Sequence, residues 1–123
     1  MTGDFVGWQP FGPLKWIEKA ERYSDINRHE LAEKELRQGL SEYPDSSILH
    51  ANLAWCLSKQ SRKDEASEEA TTALAGDVEN VLARIVLADI EAERGHHREA
   101  ERILLEGLHR EPMNVQLLMM YAG

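Results

Sequence analysis

The chain has 123 residues, 42% of them hydrophobic and 29% charged, enough for one domain with its own core. Asp and Glu number 22 against 14 Lys and Arg, a net charge of −8 with no basic run. That balance argues against a nucleic-acid partner and against direct contact with an anionic membrane, both of which draw affinity from clustered cations. Cys56 is the only cysteine, so no intramolecular disulfide can form. No stretch approaches the roughly 20 apolar residues needed to cross a bilayer. Met1 to Gly12 lacks the basic-then-apolar order of a secretory leader, so the expected location is the cytoplasm.

Residues 1–12 read as an irregular arm. Gly3, Gly7, Pro10 and Gly12 break any helical period, and Phe5, Trp8 and Phe11 stand between them. These aromatics either cap the first helix or fill a groove of this molecule or a neighbour. Pro13 then suits a helix start. A first helix is expected to about Asp25, with Trp16, Ile17, Ala20 and Tyr23 along one side, and a second from about Arg28 to Glu42, before Pro44. Asp45, Ser46 and Ser47 offer cap oxygens for a third helix to about Gln60. A fourth runs from Lys63 to about Ala75, with Gly76 and Asp77 as the break. A fifth spans Val81 to Arg94, Gly95 supplies a tight turn, and a sixth spans His97 to Arg110 before Pro112. Asn114 caps a final helix from Val115 to Ala122.

Helices five and six form a hairpin of 34 residues, Val81 to Asn114, and the two preceding stretches, 13–46 and 47–80, have the same length. Aligned on one another, the units place Ala20, Ala54 and Ala88 at the eighth position and Ala32, Ala66 and Ala100 at the twentieth. Gly39, Ala73 and Gly107 fall at the twenty-seventh, followed by Leu40, Leu74 and Leu108. Small residues at these places let paired helices approach closely. The predicted fold is all-α: three helical hairpins (13–46, 47–80, 81–114) and a C-terminal helix (115–123), one domain over 13–123.

On these residues, together with Trp16, Tyr23, Leu53, Leu87 and Gly95 and the prolines Pro44 and Pro112 at the thirty-second position, the chain resembles the tetratricopeptide repeat (TPR) family. It departs from the pattern at Lys19, at His50 and Arg84 (an aromatic position), and at Val78. The resemblance implies a right-handed α-solenoid whose first helices line a concave, peptide-binding face. It places Ile17, Glu21, Asp25, Asn52, Trp55, Lys59, Ile85, Asp89 and Glu93 at that groove, with Leu14, Ser24, Ile48, Ala51, Ser58, Leu82 and Ala92. Ile17, Ala51 and Ile85 would form an apolar strip beside Trp55. Glu21, Asp25, Asp89 and Glu93 against Lys59 would favour a protein or peptide partner with an apolar anchor and basic flanks. The family's carboxylate clamp for chaperone tails would fall at Ile17, Glu21, Asn52, Leu82 and Val86. Only Asn52 suits that role.

No cofactor or metal is expected. His96 and His97 are adjacent on a turn, which rarely converges on one ion, and no phosphate loop or catalytic triad order is present. Cys56 reads as a small buried residue, and the chain is not expected to be an enzyme. Leu117, Leu118, Met119, Met120 and Tyr121 make the last helix almost wholly apolar, which marks an interface: with further repeats of a longer protein, with another protein, or with a second copy as a homo-oligomer. The expected function is a protein-interaction scaffold or adaptor. The alternatives are an oligomerisation or assembly module, and a small chaperone for a secreted or membrane client.

Overall fold

The computed structural model describes residues 12–122. The expectation for the aromatics Phe5, Trp8 and Phe11 lies outside the described residues. Seven helices follow one another: α1 (Leu14–Asp25), α2 (His29–Glu42), α3 (Ser47–Lys59), α4 (Lys63–Gly76), α5 (Val81–Glu93), α6 (His97–Arg110) and α7 (Val115–Ala122). They form three hairpins, α1–α2, α3–α4 and α5–α6, with α7 in the place where a fourth would begin. Each helix packs on its chain neighbours, and α1, α3, α5 and α7 also pack on one another in that order. The odd-numbered helices thus make one continuous face, and α2, α4 and α6 make the layer behind it. Only neighbouring units touch, as in stacked repeat proteins.

The turns inside the hairpins are the same structure built from different residues. Asn27, Ser61 and Gly95, each at the fifteenth position of its unit, take positive φ of 61°, 63° and 85°. The following amide reaches back to the helix in all three cases: Arg28 N to Tyr23 O at 2.8 Å, Arg62 N to Leu57 O at 3.0 Å and His96 N to Glu91 O at 2.8 Å. This is the glycine-type helix stop, here made once by glycine and twice by residues with a Cβ. Asparagine tolerates the left-handed region, whereas serine is strained there. Ser61→Gly is therefore expected to stabilise the chain by about 0.5–1 kcal/mol, raising Tm by a few degrees in a thermal melt. A fall in Tm would contradict this account of the turn.

The turns between hairpins use side-chain caps. Ser46 Oγ accepts from Leu49 N at 3.3 Å, Asn80 Oδ1 from Ala83 N at 2.9 Å, and Asn114 Oδ1 from Leu117 N at 3.0 Å. Each oxygen satisfies an amide that has no partner within its own helix. Gly76 departs from expectation. It is the last residue of α4 rather than the break, which falls at Asp77 with φ −148°. Glycine stands there because Ser47 Oγ crowds the space a Cβ would fill.

In the first and third hairpins, the fourth position of the unit meets the twenty-seventh. In the first unit the Trp16 ring lies against Gly39, where an added Cβ would come within 2.7 Å of Trp16 Cγ. In the third unit Arg84 lies against Gly107, and a Cβ added there would also come within 2.9 Å of Leu117 Cδ1 from α7. The two departures from the aromatic pattern are satisfied by polar contacts. His50 Nδ1 bonds Glu69 Oε1 at 2.7 Å and its Nε2 meets Pro44 O at 2.8 Å. Arg84, 4% exposed, donates to Ile103 O at 3.1 Å and Val78 O at 2.8 Å.

Polar links join the units where apolar cover thins. Cys56 Sγ donates to His29 O at 3.0 Å. Glu33 accepts from Arg62 at 2.6 Å and Gln60 at 3.1 Å, and pairs with Arg37 at 2.8 Å. Burial alone would raise the Glu33 carboxyl, but these donors together hold it below the usual carboxylate range. Between the second and third units, Arg94 pairs with Asp64 at 2.5 Å and Lys63 with Glu93 at 3.5 Å.

Candidate peptide-binding face

The face made by α1, α3, α5 and α7 carries two hollows. The first, about 480 Å³, lies between α1 and α3 and is lined by Ala20, Glu21, Ser24, Asp25, Leu36, Asn52, Trp55, Cys56 and Leu82. The second, about 380 Å³, lies among α5, α6 and α7, with Asp89, Ala92, Glu101, Met120 and Tyr121 on its walls. Glu21, Asp25, Asn52 and Trp55 therefore come together, one helical turn apart on α1 and again on α3. Asp89 belongs to the other hollow.

The apolar strip differs from expectation. Ile17 is 8% exposed and Ala51 fully buried, so both belong to the core between helices and offer no surface. Both side chains are taken up in the core shared by the packed helices of the first two units. Ile85 is half-buried against the cluster of Ala88, Leu104 and Leu117. The apolar surface of the first hollow comes instead from Trp55 and Leu82, with Leu36 as a floor. Leu36 projects from α2, behind the face, and so is missed by any list drawn from the odd-numbered helices alone.

The polar groups of this hollow are mostly acceptors. Glu21 and Asp25 are exposed and take part in no ion pair among the described residues. The Asn52 amide nitrogen is committed to Ile48 O at 2.8 Å, which leaves its carbonyl oxygen for a donor. Ser58 spends its hydroxyl proton on Trp55 O at 2.6 Å. Glu93, placed at the groove by the resemblance, is paired with Lys63 at 3.5 Å and its charge is compensated. Lys59 Nζ lies over the Trp55 ring, 5.3 Å from its centroid. His29 meets the same ring edge-on, with centroids 5.8 Å apart and planes at 71°. Cys56 is buried, and burial pushes its thiol up to about 11, so the nucleophilic thiolate is disfavoured there.

Of the carboxylate-clamp positions, Ile17 and Val86 are buried, Leu82 is apolar and Glu21 is anionic. None presents a cation to a carboxylate. At the far end of the face, Leu117 is buried in α7 and Met120 partly so, while Leu118, Met119 and Tyr121 are exposed, Met119 to 70%.

Paired antiparallel helices in units of constant length, stacked so that the first helix of each pair lines one face, define the tetratricopeptide repeat architecture, and the chain has that fold. The first TPR domain of Spaghetti (RPAP3), solved bound to the HSP90 peptide SRMEEVD, superposes with a TM-score of 0.81 at 18% identity, covering 90% of each chain. The second TPR domain of human RPAP3, in complex with the HSP70 peptide SGPTIEEVD, gives 0.78 at 20% identity, over 91% of this chain and 93% of that one. The TPR domain of Arabidopsis OM64 gives 0.79 at 17% identity, over 89% and 91%. At these identities the likeness is one of fold. No family model matches the sequence, and no curated protein matches it. Among the described residues, no helix is long and apolar enough to cross a membrane.

Proposed function

We propose that the chain is a protein-interaction scaffold that holds a segment of a partner along its concave face. An apolar residue of the partner would rest on Leu82, beside Trp55, with basic residues toward Glu21, Asp25 and Asp89. The observation that carries this reading is the hollow between α1 and α3, where an aromatic ring, two uncompensated carboxylates and a free amide oxygen converge. Structural neighbours that hold peptides ending in Glu-Glu-Val-Asp support the general role. The ligand class differs, because this face would meet an acidic tail with Glu21 and Asp25.

The test is a titration of labelled peptides. A peptide with a central leucine flanked by arginines is expected to bind, and SRMEEVD is not. Trp55→Ala is expected to weaken the basic peptide by about tenfold or more, since a central aromatic anchor commonly supplies over 1.4 kcal/mol. Equal binding by wild type and Trp55→Ala, or preference for the acidic peptide, would overturn the reading.

A second reading is favoured by one observation: Val115, Leu118, Met119 and Tyr121 form an exposed apolar face on α7. Self-association of two copies through that face would bury it. Light scattering over a concentration series should then give a dimer that Leu118→Glu reduces to a monomer. A monomer at every concentration would dispose of this reading.

A further inference from the structure

We propose that the Trp55 ring is the seat for an arginine side chain of the partner, and that Lys59 holds this seat in the free protein until the arginine displaces it. The inference rests on the concave-face reading above and specifies its ligand. Trp55 and Lys59 are four residues apart on α3 and so share one side of the helix. The Lys59 ammonium stands 5.3 Å from the ring centroid, within the range over which a cation is drawn to an aromatic face. Lys59 is exposed and makes no ion pair among the described residues, so the ring is its principal partner. The His29 ring meets Trp55 at a steep angle rather than stacked parallel to it.

The walls around the ring explain why arginine should win. Glu21, Asp25 and the Asn52 carbonyl oxygen are acceptors without side-chain donors among the described residues. A guanidinium lies flat on an aromatic ring while its five N–H groups point outward in its own plane. It can therefore stack on Trp55 and donate to the walls together. Lys59, tethered to α3 beside the ring, makes only the first of these contacts. Its departure costs little, because it returns to solvent as a hydrated ammonium. A partner lysine would make fewer of the wall contacts, so the seat discriminates between the two cations.

The experiment is a double-mutant cycle on the full chain, read by fluorescence polarisation with the leucine–arginine peptide as probe. Lys59→Ala is expected to tighten binding about threefold to tenfold, with Lys59→Gln close behind. In a Trp55→Leu background the gain from Lys59→Ala should fall to less than half. Replacing the peptide's arginines by citrulline, which keeps the shape without the charge, should abolish the gain. Two results would overturn the displacement alone while sparing the groove: unchanged or weaker binding by Lys59→Ala, or an equal gain with and without Trp55. The second would make Lys59 a distant repulsive charge. Failure of the arginine peptide to bind both wild type and Lys59→Ala would overturn the groove reading and this one together.

Discussion

Arg84→Ala is expected to remove about 3–5 kcal/mol of folding stability, a large share of what a small domain possesses. Two losses combine. The guanidinium donates to Ile103 O on α6 and to Val78 O in the turn before α5, and truncation takes a donor from both carbonyls, at about 1–3 kcal/mol together. The side-chain stem also fills the space over Gly107, and its removal leaves a cavity bounded by that glycine and Leu117. Arg84→Met separates the two terms, since it keeps the stem and discards only the donors. Urea unfolding followed by circular dichroism should order the three proteins as wild type, then Arg84→Met, then Arg84→Ala. Burial pulls the Arg84 guanidinium below its usual value, while Glu106 opposes that shift. A neutral replacement of the right shape therefore recovers part of the desolvation cost. If Arg84→Ala cost under 1 kcal/mol, the role given to this residue in closing the third hairpin would be wrong.

Trp16→Ala is expected to cost a similar amount, about 3–5 kcal/mol, for a different reason. Trp16 is 4% exposed and its ring occupies the groove that Gly39 leaves open on α2. The loss is almost wholly one of packing, so Trp16→Phe should recover much of it. The partner change makes the point sharper. Gly39→Ala gains about 1 kcal/mol in helix propensity but places a Cβ within 2.7–2.9 Å of three Trp16 atoms, and overpacking of that kind costs about 1–3 kcal/mol. The same Gly39→Ala change in a Trp16→Leu protein should become neutral or stabilising, because the clash is gone. Additive behaviour in this cycle would show that the two residues do not share the contact assigned to them.

These pairs mark the boundary of what the sequence discloses. The 34-residue period, the alanines at the eighth and twentieth positions, and the prolines after the second helices were enough to place seven helices with ends close to those observed. Period is legible because it reports backbone geometry, which every unit shares. How each unit fills its fourth position is not periodic. Tryptophan, histidine and arginine stand there, and the polar pair read as departures until the carbonyls and the carboxylate that receive them are seen. Gly76 misled for a related reason: a glycine between helices reads as a turn, whereas this one admits the Ser47 hydroxyl.

The candidate face was legible to the same degree. The family resemblance put Glu21, Asp25, Asn52 and Trp55 on one face, and they line one hollow. Spacing could not reveal that Ile17 and Ala51 are taken up in the core between the packed helices. It could not separate Asp89 into a second hollow, or find the Lys63 that compensates Glu93. Each of these depends on contacts between units, for which a single unit's pattern holds no signal.

The most direct test of the central claim is amide chemical-shift mapping of the labelled full chain during titration with the leucine–arginine peptide. The account predicts saturable shifts centred on Glu21, Asp25, Asn52 and Trp55, extending to Leu82, with the Trp55 indole N–H moving most, and α4 and the outer side of α6 unaffected. Shifts confined to α7 or to the outer layer, or none at saturating peptide, would contradict it.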